Sequence, residues 1–267
     1  MTDIDVQDKG WFEEQLRRNP NDGVLWCQYG DLLWETECDP AQCVKAYEAA
    51  ARLLPAKDMR VRLGSALVKK GDREEGLRLI CESVEERPRA YGYAMLANAY
   101  LACGMFAEAE VAGRQAIDCD PESADSHFVL AEALRKKPLQ AIEAYREAIR
   151  ISPEHQEAWE GLGSLLASTE TTQAEGIQCL LRAVELDPQD VQARGYLANA
   201  FWRSGQTAEA ERQYCKAKKA DLQNWHVRKW YSEFLDDQGR SAEAERERSE
   251  ASELRDGEQR DQTLKLN

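Results

Sequence analysis

The sequence predicts an all-α solenoid built from tandem helix-turn-helix units, and three observations predict it. A large apolar residue followed by a small one, with a second large residue three positions further on, recurs seven times at a period of about 34 residues. A second series of small residues, in pairs seven positions apart, follows each triplet. Prolines then close five of the units.

The first series of small residues is Gly30, Gly64, Ala97, Ala131, Gly163, Ala198 and Ser232, spaced 34, 33, 34, 32, 35 and 34 residues apart. Each follows Tyr29, Leu63, Leu96, Leu130, Leu162, Leu197 or Tyr231. Each is followed, three residues later, by Leu33, Leu67, Tyr100, Leu134, Leu166, Phe201 or Leu235. Positions i, i+1 and i+4 share one helical face, so every triplet marks the buried stripe of a first helix.

The paired small residues that follow are Cys43, Gly76, Ala109, Ala141, Gly176, Ala210 and Ala244, then Ala50, Ser83, Ala116, Ala148, Ala183, Ala217 and Ala251. Small side chains at these steps let a second helix approach the first closely. A bulky residue usually sits between them, as in Tyr47, Ile80, Tyr145, Leu180 and Tyr214. The second helices stop at Pro55, Pro88, Pro121, Pro153 and Pro188, where proline cannot continue the hydrogen-bond ladder. Pro20 closes a helix at the N-terminal end, and Pro40 and Pro138 are expected in turns between paired helices.

These residues resemble the tetratricopeptide repeat pattern, W-x2-L-G-x2-Y, then A-x3-F, then P. Trp159, Leu162, Gly163 and Leu166 carry the first part in one repeat, and Ala141, Tyr145, Ala148 and Pro153 carry the second in another. The resemblance covers residues 21–253 in about seven copies and implies a superhelix. Residues 1–20 are read as a capping helix, with Trp11, Phe12 and Leu16 on one stripe, and 254–267 as a polar tail with too little to bury. Ser241 to Leu254 keeps Ala244 and Ala251 but puts Arg248 where a bulky residue belongs, the polar outer face that a terminal cap needs. The turn from Arg135 to Gln140 is about two residues short, and that from Ala167 to Ala174 about one long.

Composition narrows the function. The net charge of −14 opposes nucleic acid and anionic membrane, which reward clustered Lys and Arg. No apolar run approaches the roughly 18 residues of a membrane span, and the acidic start with Asp3, Asp5 and Asp8 does not read as a targeting peptide. Eight cysteines are scattered without a C-x-x-C pair, which predicts free thiols, no zinc site and a reducing, cytoplasmic setting. His127, His155 and His226 lie far apart, and no nucleophile, metal or phosphate-loop motif accompanies them, so neither an enzyme nor a cofactor is expected.

The expected activity is protein recognition. In proteins that this chain resembles, first helices line the concave face, and register then gives groove positions at −6, −3, +1 and +4 from the small residue. Aromatic side chains there are not needed for the repeat's own core: Trp34, Tyr91, Phe128 and Trp202. Leu101 and Arg135 fall on the same positions. Asn98 and Asn199 directly follow the small residue in the near-identical stretches Leu96–Tyr100 and Leu197–Phe201. In relatives that bind extended peptides, asparagines at this offset contact the ligand backbone, which an amide can meet as donor and acceptor. The Lys and Asn set of relatives that clamp an acidic C-terminus is missing, with Cys27, Asp31, Val61 and Ser65 in its place. Glu157, Glu160, Glu233, Asp236 and Asp237 favour a partner with some positive charge. The predicted function is therefore an adaptor or scaffold that holds a peptide or helix of a partner. The alternatives are a self-associating or assembly subunit, or an acidic inhibitor or immunity-type protein of a basic enzyme.

Overall fold

The computed structural model describes residues 9–36 and 39–266, and every regular element among them is an α-helix. Residues 1–8, with the acidic start, and Cys38 lie outside the described residues. The chain divides into two compact units, residues 1–144 and 145–267.

The first unit opens with α1 (Lys9–Arg18) and continues with three complete helix pairs: α2 (Gly23–Glu35) with α3 (Pro40–Leu53), α4 (Arg60–Lys70) with α5 (Arg73–Glu86), and α6 (Ala90–Ala102) with α7 (Phe106–Cys119). It then adds α8 (Ala124–Ala133) and the start of α9 (Pro138–Ile151). The second unit takes the rest of α9 and the pairs α10 (Gln156–Leu166) with α11 (Gln173–Leu186), α12 (Val191–Arg203) with α13 (Thr207–Ala220), and α14 (Trp225–Asp237) with α15 (Ser241–Leu266). Each triplet of the periodic pattern thus falls on a first helix, except that Leu134 follows the last residue of α8, and each heptad pair falls on a second helix.

Helix starts follow from side chains that satisfy the free N–H groups of a first turn. Asp22 accepts from Val24 and Leu25, Asp190 from Gln192 and Ala193, and Asn224 from Val227. Pro40 and Pro138 are not in turns, as the sequence suggested, but are the first residues of α3 and α9. Proline's missing N–H costs nothing there, and its fixed φ already suits the helix. Between paired helices the chain reverses through Gly71, Gly104, Gly205 and Gly239, all with φ between 74° and 112°. Each stands seven residues after the small residue of its repeat, and only glycine adopts that left-handed conformation freely.

The small residues set how close paired helices come. In the second repeat a Cβ on Gly64 would stand 2.6 Å from the Gly76 carbonyl oxygen, and one on Gly76 would stand 2.5 Å from that of Gly64. In the fifth, a Cβ on Gly176 would meet the Ala167 nitrogen at 2.4 Å. Ala97, Ala109, Ala198 and Ala210 are fully buried at the corresponding positions. The bulky residues between the heptad steps, Tyr47, Ile80, Tyr145, Leu180 and Tyr214, are at most 2 % exposed and fill the space beside these contacts.

The ends are closed differently. On α1, Leu16 is buried and Phe12 stacks on Tyr29 with ring centroids 5.8 Å apart, an apolar lid on the first pair. At the other end α15 inserts Ala244 and Ala251 and buries Glu247 between Arg228 Nη1 at 2.8 Å and Lys218. Arg248, which replaces the bulky residue, turns outward to Asp236 and Glu245. Helix α15 continues through Leu266, where the sequence reading expects an unstructured tail. The run is rich in Glu, Arg and Gln, strong helix formers that extend a helix already anchored at its start.

Replacing Gly76 by Ala is expected to lower the unfolding free energy by roughly 1–3 kcal/mol, because a backbone carbonyl has no rotamer with which to yield. Gly10→Ala, on α1 with nothing within 4 Å of the new methyl, is expected to be neutral or stabilising. Urea unfolding of the two variants side by side checks the contrast.

Candidate functional site

The residues nominated from register divide between the units. Trp34, Tyr91, Asn98, Leu101, Phe128 and Arg135 belong to the first, Asn199 and Trp202 to the second. Within the first unit the faces of α2, α4 and α6 enclose a cavity of about 350 Å³, and Trp34 and Asn98 both line it. Ser65, Val68 and Lys69 of α4 and Met95 of α6 complete most of the wall. Trp34 is half-buried against the first core cluster, and the Lys69 ammonium sits over its ring, 4.9 Å from the centroid. The result is an apolar slot with one aromatic wall, one cation and one amide.

Asn98 and Asn199 were nominated together, and the structure separates them. The buried Tyr214 hydroxyl donates to Asn199 Oδ1 at 2.6 Å, so that amide is committed to joining α12 and α13. The residue in the third repeat that corresponds to Tyr214 is Gly113, whose place a Leu130 backbone contact fills. No phenol reaches Asn98, and its amide is exposed and makes no side-chain hydrogen bond within the described chain. The first repeat follows the sixth: Tyr47 donates to Asp31 Oδ1 at 2.9 Å. Burial raises the pKa of both phenols far above the ordinary tyrosine value, so they act as fixed donors.

The aromatic positions differ in the same way. Tyr91 is 53 % exposed and lines a second cavity, of about 620 Å³, with Arg62 5.9 Å from its ring centroid. Phe128 and Leu101, partly buried, pack on the cluster around Ile80 and Leu96. Trp202 meets the Phe234 ring edge-on at 5.9 Å and donates from Nε1 to Asp237 at 2.9 Å. Arg135 is exposed and pairs with Glu132 at 3.5 Å. The acidic side chains expected to attract a basic partner have local engagements too: Asp236 with Arg248, Asp237 with Trp202, and Glu233 with Lys229 at 4.0 Å.

Sequence reasoning missed Lys69, Lys57, Arg87 and Arg89. Lys69 lies five residues after Gly64, one step outside the offsets used. The other three stand in connections between repeats, which a table of helix faces does not include. The flanks of the closing prolines, Pro55 and Pro88, were the signal available. Beside them Asp58 organises the α3–α4 connection, accepting from Arg60 Nε at 2.9 Å and from Ser83 Oγ at 2.8 Å. The Arg60 hydrogen bond holds its carboxyl well below the usual carboxylate range.

Among the described residues no group of three or more His, Cys, Asp or Glu side chains is placed to hold a metal ion, and no helix is long and apolar enough to cross a membrane. Seven described cysteines are free thiols. Burial pushes the Cys179 thiol up to about 11.

The repeat geometry has relatives. A tetratricopeptide repeat family profile matches residues 135–191, 173–221 and 197–251 in overlapping registers. The chain is a tetratricopeptide repeat protein. Such an array is in general terms a protein-interaction module. No curated protein matches the chain. Among solved structures it is similar to a thermophilic tetratricopeptide repeat protein of Thermus thermophilus, with 23 % identity over 66 % of this chain and 97 % of that one, at a TM-score of 0.57. It is also similar to pilF of Pseudomonas aeruginosa, with 23 % identity over 62 % and 76 % of the two chains and a TM-score of 0.56. The Cut9–Hcn1 hetero-tetramer of the APC/C aligns with 84 % of this chain and 45 % of its own at 11 % identity and a TM-score of 0.69. At these identities the likeness is one of repeat fold.

Two outcomes are expected of this repeat chemistry. Tyr214→Phe leaves Asn199 without its donor and should cost about 1 kcal/mol in urea unfolding, while Asn98→Ala should cost nearly nothing. Asp58→Asn should destabilise at neutral pH. A depressed carboxylate stabilises above its unfolded pKa and loses that stabilisation as pH falls through its folded one, so the gap to the parent protein should shrink below about pH 4. Unfolding midpoints measured from pH 7 down to about pH 3 check the sign.

Proposed function

We propose that this protein is an adaptor whose first unit holds a peptide of a partner protein in the slot between α2, α4 and α6. The observation that carries this reading is Asn98. An exposed amide, left unpaired because Gly113 replaces a tyrosine, lines an apolar slot beside a half-buried tryptophan. A peptide main chain presents one N–H and one C=O per residue, and a single amide can meet both. Trp34 and Val68 supply the apolar surface that a partner side chain buries, and Lys69 adds a cation at the rim. Preformed helices hold all four residues, so little ordering opposes association. The activity is recognition, with no chemical step assigned to any residue.

Selection of peptides from a displayed random library on the full chain, followed by fluorescence anisotropy, tests the reading. Trp34→Ala is expected to weaken the selected peptides by at least about 2 kcal/mol and Asn98→Ala by about 1 kcal/mol. Both variants should keep their helical circular dichroism. Peptides that bind both variants as tightly as the parent protein would sink the assignment, as would a library that yields no binder.

A further inference from the structure

Acidic side chains outnumber basic ones by 49 to 35 in this protein, yet one cavity of the first unit is lined the other way. It measures about 620 Å³ and opens where the α3–α4 and α5–α6 connections lie side by side. Lys57, Arg62, Arg87 and Arg89 line it, and Asp58 is the single acidic residue on its described wall. Asp58 is already taken up by Arg60 and Ser83, and Arg62 donates to Asp31 at 3.0 Å.

The other three cations have no such partner. Lys57 Nζ meets the buried Cys27 sulfur at 3.5 Å, a weak acceptor, and no carboxylate. Arg87 and Arg89 stand exposed on either side of Pro88, and their side chains make no hydrogen bond or ion pair within the described chain; the nearby Glu86 carboxylate, which Arg87 also feels, is held by Arg60 at 2.7 Å. On a surface with acid to spare, three unpaired cations around one concavity form a local positive field that an anionic ligand would relieve. The remaining wall is apolar, with Leu53, Leu54, Val61 and the exposed ring of Tyr91.

We propose that this cavity binds an acidic peptide segment of a partner protein. Its carboxylates meet Arg87, Arg89 and Lys57, and an adjoining apolar side chain lies against Leu54, Val61 and Tyr91. The guanidinium groups suit carboxylates because their donors match two oxygens at once. A nucleic acid would need cations along an extended track, whereas here they surround one cavity with apolar walls. The inference rests on the reading that the partner is a protein, and adds the charge of the part that meets this edge.

The test uses the full chain and a fluorescein-labelled peptide of about twelve residues in which Glu and Asp surround spaced Leu, with a matched peptide carrying Gln and Asn instead. The acidic peptide should bind at least about ten-fold more tightly than its amide counterpart and weaken as salt rises from about 50 to 300 mM. Arg87→Glu with Arg89→Glu, both on the surface, should abolish that preference with helicity and thermal midpoint unchanged. Trp34→Ala should leave the charge preference intact, so loss through Trp34 alone would support the slot between α2, α4 and α6 and overturn this cavity. Equal binding of the two peptides, no detectable binding of either, or tighter binding of a single-stranded oligonucleotide would also overturn it.

Discussion

The close approach of paired helices at their small residues is the constraint on which the other features depend. Where Gly64 faces Gly76, two backbones stand so near that neither position admits a methyl. Once the axes are that close, the bulky residue between the heptad steps has only one place to go, beside the contact, and Tyr47, Ile80 and Tyr214 are buried there. The first-helix face on the opposite side is then freed from packing its own partner. It can be polar, apolar or charged without disturbing the hairpin, which is how one repeat design carries different surfaces along its length.

That same buried position decides which surface residues are available. A tyrosine there brings a phenol to the first helix, and the residue after the small one must answer it, as Asp31 and Asn199 do. A glycine there brings nothing, and Asn98 stays open to solvent. Two near-identical five-residue contexts, Leu-Ala-Asn-Ala followed by Tyr or Phe, therefore carry one binding candidate and one structural hydrogen bond. The difference lies fifteen residues away, on the other helix of the pair.

The fold was legible because its signal is repeated: seven triplets at one period overdetermine the helix pairs, and the short turn before α9 could not obscure them. Small departures follow from local chemistry, as when Pro40 and Pro138 begin helices because proline suits a first turn. The candidate site was legible only in part. Register gave the faces on which Trp34 and Asn98 lie, but it could not say that Trp202 is held by Asp237 and Phe234, or that Phe128 packs on its neighbouring repeat. Those outcomes depend on contacts between repeats that a single-repeat register does not contain.

Charge shows the same limit most plainly. Net charge averages over the whole surface, and at −14 it points toward a basic partner. A partner feels the field within about a Debye length of where it docks, roughly 8 Å at physiological salt, so what counts is which charges are already paired. Asp236 is paired with Arg248, whereas the side chains of Lys57, Arg87 and Arg89 form no ion pair within the described chain. Some of the acidic side chains that enter the count thus have their fields cancelled locally. Lys57, Arg87 and Arg89 come together at connections between repeats, where the backbone leaves a cavity and the packing of the hairpins makes no demand on the residue.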